Sequence, residues 1–420
     1  MEGKHISDFE TYRESVESRH RVVVGDARQM STVADDAVEL VVTSPPYPMV
    51  EMWDDLFSDL AAGVEPALRD GDGDAAFEAM HGVLDEVWAE VERVLVPGGI
   101  ACINVGDATR SVGDSFRVYP NHARVTDAFC ELGFEPLPDV LWRKPTNSAA
   151  KFMGSGMIPP NAYVTLEHEY VLVFRNGTDS RSFAPGEARR YESAYFWEER
   201  NAWFTDVWTE VTGTAQAVDA EARASSGAPA EPVEDGAARV TDAPDGGVTD
   251  DTAGGETTDD AANGTGNDDA VVGTIDADRR DELRDRTAAF PFEIPYRLVN
   301  MYSVYGDTVL DPFFGTGTTS LAAMVAGRDS VGYELEDAFV EAFDARAAGA
   351  PTLSREVVEA RLDAHRAFVE DRRASGDSLG YDAEHYDFPV VTKQERELLF
   401  RVVSEVRREG DEWVATHETV

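Results

Sequence analysis

Two cysteines in 420 residues, Cys102 and Cys130, are too few for a disulfide framework or a four-cysteine zinc site. They read as buried thiols of a cytoplasmic protein. Lysine is nearly missing as well. Of 37 basic residues only Lys4, Lys144, Lys151 and Lys393 are lysines, and the other 33 are arginines. No stretch approaches the ~18 apolar residues that span a membrane. The start, Met1-Glu2-Gly3-Lys4-His5, lacks the basic and apolar segments of a secretion signal. These shortages exclude a membrane protein and a disulfide-stapled secreted one. What abounds is acid: 81 Asp and Glu give a net charge of −44. Acid excess with little lysine reads as adaptation to a salty, halophilic cytoplasm, where carboxylates keep the surface hydrated and salt screens their repulsion. Taken over the whole chain, −44 argues against a nucleic-acid partner, so the charge has to be read locally.

Residues 215–278 contain no aromatic residue, no Leu and no Met, but 16 acids against two arginines. Such a segment buries too little apolar area to offset chain entropy and reads as a disordered acidic insertion. Without it the chain carries −30. The remainder alternates short apolar runs with amphipathic stretches. Strands are expected at Arg21–Val24, Val38–Val42, Gly99–Val105, Val140–Trp142, Tyr170–Phe174, Thr308–Asp311 and Ser330–Tyr333. Helices are expected near 77–95, 120–132, 294–303, 317–327, 353–373 and 393–408. Strands separated by helices predict an α/β fold around a mostly parallel sheet covered on both faces.

Two strings at strand ends carry chemistry. In Asp311-Pro312-Phe313-Phe314-Gly315-Thr316-Gly317-Thr318-Thr319, a glycine turn follows a strand and opens a helix, which lets a ligand approach the backbone. Glu334 ends the next strand, where an acid can bind ribose hydroxyls, so a nucleoside-containing cofactor is expected. Ser320 stands where a dinucleotide fingerprint has its third glycine, and no Gly-Lys-Ser/Thr follows for a Walker loop. A tight turn with a packing role would also produce Gly-x-Gly alone, but the nine-residue string is more specific. In Thr43-Ser44-Pro45-Pro46-Tyr47, two prolines stiffen an extended segment and fix a hydroxyl, a carbonyl and an aromatic ring in one group. Such a group suits a flipped base presenting an amino group. A proline-rich turn with a packed tyrosine is the plainer reading of that string by itself.

Together the two strings resemble the amino-methylating DNA methyltransferases, which move a methyl group from S-adenosylmethionine to cytosine N4 or adenine N6. The resemblance covers most of residues 20–340 outside the insertion. The catalytic string precedes the cofactor string, as in that family's circularly permuted β group, haloarchaeal in type here. It implies a Rossmann-like methyltransferase sheet, permuted, with a target-recognition region. It implies Ser44, Pro45, Pro46 and Tyr47 as the catalytic group. For the cofactor it implies Asp26, Phe290, Asp311, Phe313, Gly315, Thr316, Gly317, Thr318, Thr319 and Glu334. Phe314 is bulkier than the Ala often found at its place, and Thr287-Ala288-Ala289 lacks a common His-Pro. Serine at the head of the tetrapeptide favours cytosine N4 over adenine N6. Neither cysteine sits in a Pro-Cys motif, so the carbon-5 class is set aside, and no metal is implied.

Residues 141–204 carry eight Arg and Lys against seven acids, a local charge of +1 on a strongly acidic background, overlapped at their end by the aromatics of 191–208. Phosphate contacts depend on such cations, so Arg143, Lys144, Lys151, Arg181, Arg189, Arg190 and Arg200 are candidates for holding double-stranded DNA. Five segments follow: a catalytic half at 1–143, a recognition region at 144–212, the insertion at 213–280, a cofactor half at 281–345 and a helical extension at 346–420. The expected activity is site-specific methylation of a short site, CTAG-like by resemblance, with or without a cognate restriction endonuclease. A DNA-binding protein that keeps this fold without turnover is the alternative from another class.

Overall fold

The computed structural model describes residues 16–144, 153–154, 160, 162–211, 290–377 and 379–420. The segment read as an acidic insertion, 213–280, lies outside the described residues, as does Lys151. An eleven-stranded sheet organises the rest. Across it run Val207–Trp208, Val140–Arg143, His168–Asn176, Leu95–Val105, Val38–Thr43, Thr308–Asp311, Asp329–Glu334, Val16–Val24, Glu412–Thr419 and Arg401–Glu409, with Phe134–Pro136 also paired to His168–Asn176. The five central strands, Leu95–Val105 through Val16–Val24, are parallel. His168–Asn176 and Glu412–Thr419 flank them antiparallel.

Strand residues alternate between two cores, as a sheet covered on both faces requires. Val41 and Leu310 face a core shared with the helices Asp54–Leu60, Gly73–Val94 and Asn121–Glu131, where Trp88 and Phe129 are fully buried. Leu40, Val42 and Val309 face the opposite core, with the helices Glu293–Tyr302, Thr318–Val325 and Asp337–Ala374. The long helix Gly73–Val94 starts where Asp72 accepts a hydrogen bond from the Ala75 amide at 3.0 Å, a capping arrangement. Thr43 and Asp311 end neighbouring strands, so segments far apart in sequence meet at one edge of the sheet.

The helix expected near 393–408, the last part of the helical extension at 346–420, is corrected, while the helix expected at 353–373 lies within Asp337–Ala374. Arg401–Glu409 and Glu412–Thr419 form a β-hairpin that joins the main sheet beside Val16–Val24. Arg and Glu favour helix locally, but Val402 and Val403 are buried, and the pairing that decides the matter comes from the other end of the chain. A buried polar row fastens it. Ser18 Oγ lies 2.9 Å from His20 Nε2 and 2.8 Å from His417 Nε2, and His20 Nδ1 lies 2.8 Å from Ser330 Oγ. Burial holds both rings neutral, pushing His20 down to about 3 and His417 down to about 4.

Phe314 packs where two glycines leave room. A Cβ on Gly332 would lie 2.2 Å from the Phe314 ring, and one on Gly317 would lie 2.5 Å from it and 2.4 Å from Phe343. The bulky residue at this place is therefore matched by absent side chains opposite it. The ring also packs edge-on against Phe343, with centroids 5.2 Å apart. Gly332→Ala is expected to cost about 1–3 kcal/mol by overpacking. A chemical denaturation midpoint unchanged from wild type would remove this explanation.

Candidate active site

A pocket opens at the carboxyl ends of the parallel strands. Asp26, Ser44, Pro45, Pro46, Phe290, Asp311, Phe313, Gly315, Thr316, Thr318 and Glu334 all line it. Most of the residues singled out in the sequence, from five separate stretches of chain, are thus brought together. Its apolar side is supplied by Trp53, Leu56, Phe57 and Leu60. Gly317 and Thr319 stand just behind the wall. Gly317 caps the helix Thr318–Val325 in the left-handed conformation, φ 77°, and Thr319 is buried.

Two hydrogen bonds bolt the strand ends to each other. Buried Asp311 accepts from Thr43 Oγ1 at 2.6 Å and from the Phe313 amide at 3.1 Å. Thr319 Oγ1 donates to the Val42 carbonyl at 3.2 Å. Burial pushes the Asp311 carboxyl up to about 6, against the hydrogen bonds from Thr43 and the Phe313 amide. The residue before Ser44 is therefore held by the residue that opens the glycine turn. Glu334 braces the turn from the next strand, accepting from the Gly315 amide at 2.8 Å and the Glu336 amide at 3.1 Å, and burial raises its carboxyl. Asp26 is clasped by Arg28, with nitrogen–oxygen distances of 2.7–3.1 Å, and that hydrogen-bonded guanidinium lowers its carboxyl.

Tyr47 turns from the pocket wall into a second polar cluster. Its hydroxyl lies 3.1 Å from Ser44 Oγ, donates to Glu169 Oε2 at 3.0 Å and accepts from Asn104 Nδ2 at 2.8 Å. Asn104 Nδ2 also donates to Glu169 Oε2 at 2.8 Å, and Lys144 Nζ donates to Glu169 Oε1 at 3.0 Å. Among the described residues nothing donates to the Pro45 carbonyl. Asn104, Glu169, Arg28 and Arg346 escaped the sequence reading, which named Thr43 in its string but gave it no role. Asn104 had a signal, a lone amide near the end of an apolar strand. Arg346 had none: from a charged helix its guanidinium reaches the Thr316 carbonyl at 3.0 Å and the Thr316 and Thr318 hydroxyls at 2.6 and 3.1 Å.

The candidate DNA-contacting cations divide between two ends of the sheet. Arg143, with 60% of its side chain exposed, and Lys144 sit at the same end as Ser44, paired with Glu167 and Glu169. Arg181 and Arg189 lie at the opposite end, both bound to the fully buried Asp307 carboxylate. There Arg190 stacks on Phe183, and together with Arg200 it lines a second cavity. Cys102 is buried in its strand and burial raises its thiol strongly, so it is no ready thiolate nucleophile.

An α/β chain whose pocket joins a glycine turn to a proline-stiffened polar group has the architecture of a group-transfer enzyme. A family model described as DNA methylase, covering the N6 and N4 methyltransferases, matches residues 38–345, and the chain belongs to that family. It is 42% identical over 386 residues to the type II methyltransferase M.MthZI of Methanothermobacter thermautotrophicus, covering 91% of this chain and 90% of that one. It is 40% identical over 332 residues to the type II methyltransferase M.MjaI of Methanocaldococcus jannaschii, covering 76% and 88%. Among solved structures, a Thermus thermophilus protein provisionally assigned as a DNA modification methylase, complexed with S-adenosyl-L-methionine, is 27% identical. That match covers 77% of this chain and 91% of the other, with a TM-score of 0.49.

Proposed function

We propose that this DNA methyltransferase uses S-adenosylmethionine to methylate the exocyclic amine of a flipped base, cytosine N4, within a short site. The observation that carries the reading is that Ser44 and Pro45 share one pocket with the Asp311–Thr318 turn and Glu334. The residues present fit the methyl donor. Gly315 leaves backbone open to it, Phe313 and Leu60 offer apolar surface, and the Asp26 and Glu334 carboxylates can accept from ribose and adenine donors. When bound, the donor supplies an electrophilic methyl group. An exocyclic amine is a poor nucleophile because its lone pair is delocalised into the ring. Hydrogen bonds from its two protons to Ser44 Oγ and the Pro45 carbonyl pull the nitrogen towards tetrahedral geometry and free that pair. Positioning supplies most of the acceleration.

The choice of cytosine rests on the serine at position 44, and adenine N6 is the alternative. The permuted order of the two strings, the segment boundaries and a halophilic host belong to the same proposal. Single-molecule sequencing of DNA from an expressing host reports base and site together. Methylated adenines without methylated cytosines would sink the cytosine assignment.

For the duplex, the proposal takes Arg143 and Lys144, which stand beside the tetrapeptide's end of the sheet, ahead of the opposite-end arginines. Arg143→Ala is expected to weaken DNA binding several-fold and lower the salt slope by about one. Arg190→Ala is expected to leave both nearly unchanged. Titrations of labelled duplex at several salt concentrations check this, and equal losses in the two variants would contradict it.

A further inference from the structure

We propose that Glu169 is the terminal acceptor of the proton that the amine loses on methylation, reached through Ser44 and Tyr47. The inference rests on the methylation reading above and adds a role to a residue outside the tetrapeptide.

The direction of each hydrogen bond follows from the donor inventory. An ionised carboxylate only accepts, and an amide nitrogen only donates. Asn104 Nδ2 is 2.8 Å from both Tyr47 Oη and Glu169 Oε2. Turning the amide round would set its oxygen against the carboxylate, so the orientation is fixed. It is held although Asn104 Oδ1 is then buried without a partner. The Tyr47 oxygen therefore accepts from Asn104, and its proton goes to Glu169 at 3.0 Å. The Ser44 proton then goes to Tyr47 at 3.1 Å, which leaves the Ser44 lone pairs turned to the substrate amine. The cluster is built tightly: a Cβ on Gly106 would lie 3.1 Å from the Tyr47 ring and 3.3 Å from Glu169 Cγ.

The transfer balances. The amine lone pair forms the new nitrogen–carbon bond, and the carbon–sulfur bond breaks with its electron pair left on sulfur. The nitrogen now bears a positive charge and one proton too many. That proton passes to Ser44 Oγ, the Ser44 proton to Tyr47, and the Tyr47 proton to Glu169, which becomes neutral. Burial and the neighbouring Glu169 charge hold the Tyr47 phenol well above its usual range, so it relays a proton and does not rest as a phenolate. Lys144, itself half-exposed, balances the largely buried Glu169 carboxylate, and the proton leaves towards solvent on that side between turnovers. Glu169 touches no reacting atom; it acts through Tyr47 and Ser44.

The test compares wild type, Glu169→Gln, Tyr47→Phe and the double variant in single-turnover methylation of duplex DNA at high salt. Cofactor and DNA dissociation constants are measured alongside. Glutamine still accepts from Tyr47 but takes no proton, so Glu169→Gln is expected to slow transfer about a hundredfold with both constants within about threefold. Links in one relay fail together, so the double variant should fall no more than about threefold below Tyr47→Phe. A Glu169→Gln rate near wild type, losses that multiply in the double variant, or a loss matched by weakened binding would each overturn the relay. Wild-type protein that transfers no methyl group to any duplex would instead overturn the methylation reading, and the relay with it.

Discussion

Ser44→Ala is expected to lower the single-turnover rate of methyl transfer by about 10²–10³-fold while S-adenosylmethionine still binds. Ser44 lines the pocket but is no part of the glycine turn or of Glu334, the parts assigned to the methyl donor. Its loss removes one of two acceptors for the amine protons and the first link to Tyr47. Proton-handling groups of this kind contribute on the order of 10²–10⁴-fold, and the Pro45 carbonyl remains to keep the base oriented. The measurement is a rapid-quench time course with saturating cofactor, paired with a calorimetric cofactor titration. A rate within threefold of wild type would remove Ser44 from the mechanism. A parallel collapse of cofactor binding would show that it serves the pocket and not the amine.

Asp311→Ala is expected to have the second large effect, on folding and cofactor binding at once. The Thr43 hydroxyl is fully buried and donates to this carboxylate, as does the Phe313 amide. Truncation strands both donors at about 1–3 kcal/mol each, so a loss of roughly 2–6 kcal/mol is expected. It also frees the glycine turn from the strand that presents Ser44. Asp311→Asn keeps an oxygen for Thr43 and should retain most of the stability. Denaturant midpoints of the two variants decide this, and equal losses would show that charge, not the hydrogen bonds, holds the joint.

Much of this architecture was legible because its signals are local. Val38–Val42 and Thr308–Leu310 announce themselves as apolar β-branched runs, and the strings that follow them break the pattern with glycine and proline. That these two strands are neighbours, with Thr43 joined to Asp311, is a non-local fact that local pattern cannot carry. The same limit hid Glu169. It begins an apolar strand like any solvated acid, and only the antiparallel pairing of Tyr170 with Val105 carries it to Asn104 and Tyr47. The C-terminal hairpin departs from its sequence pattern for a related reason. Its Arg- and Glu-rich sequence favours helix, and its partner strand lies nearly 400 residues away in the chain.

Local charge was only partly legible. The contrast between a near-neutral 141–204 and a chain at −44 marks where cations gather. It does not separate Arg143, exposed beside the tetrapeptide's end of the sheet, from Arg181 and Arg189, which are taken up by a buried aspartate at the other end.

The most direct test of the central claim follows the methyl group itself. The full chain is incubated at molar salt with duplex DNA and S-adenosylmethionine bearing a deuterated methyl group, and the digested nucleosides are resolved by mass spectrometry. The account predicts labelled N4-methylcytosine, formed at least about a hundredfold more slowly with Ser44→Ala. Label at cytosine carbon 5, or no labelled nucleoside from a folded protein that binds both cofactor and DNA, would contradict it.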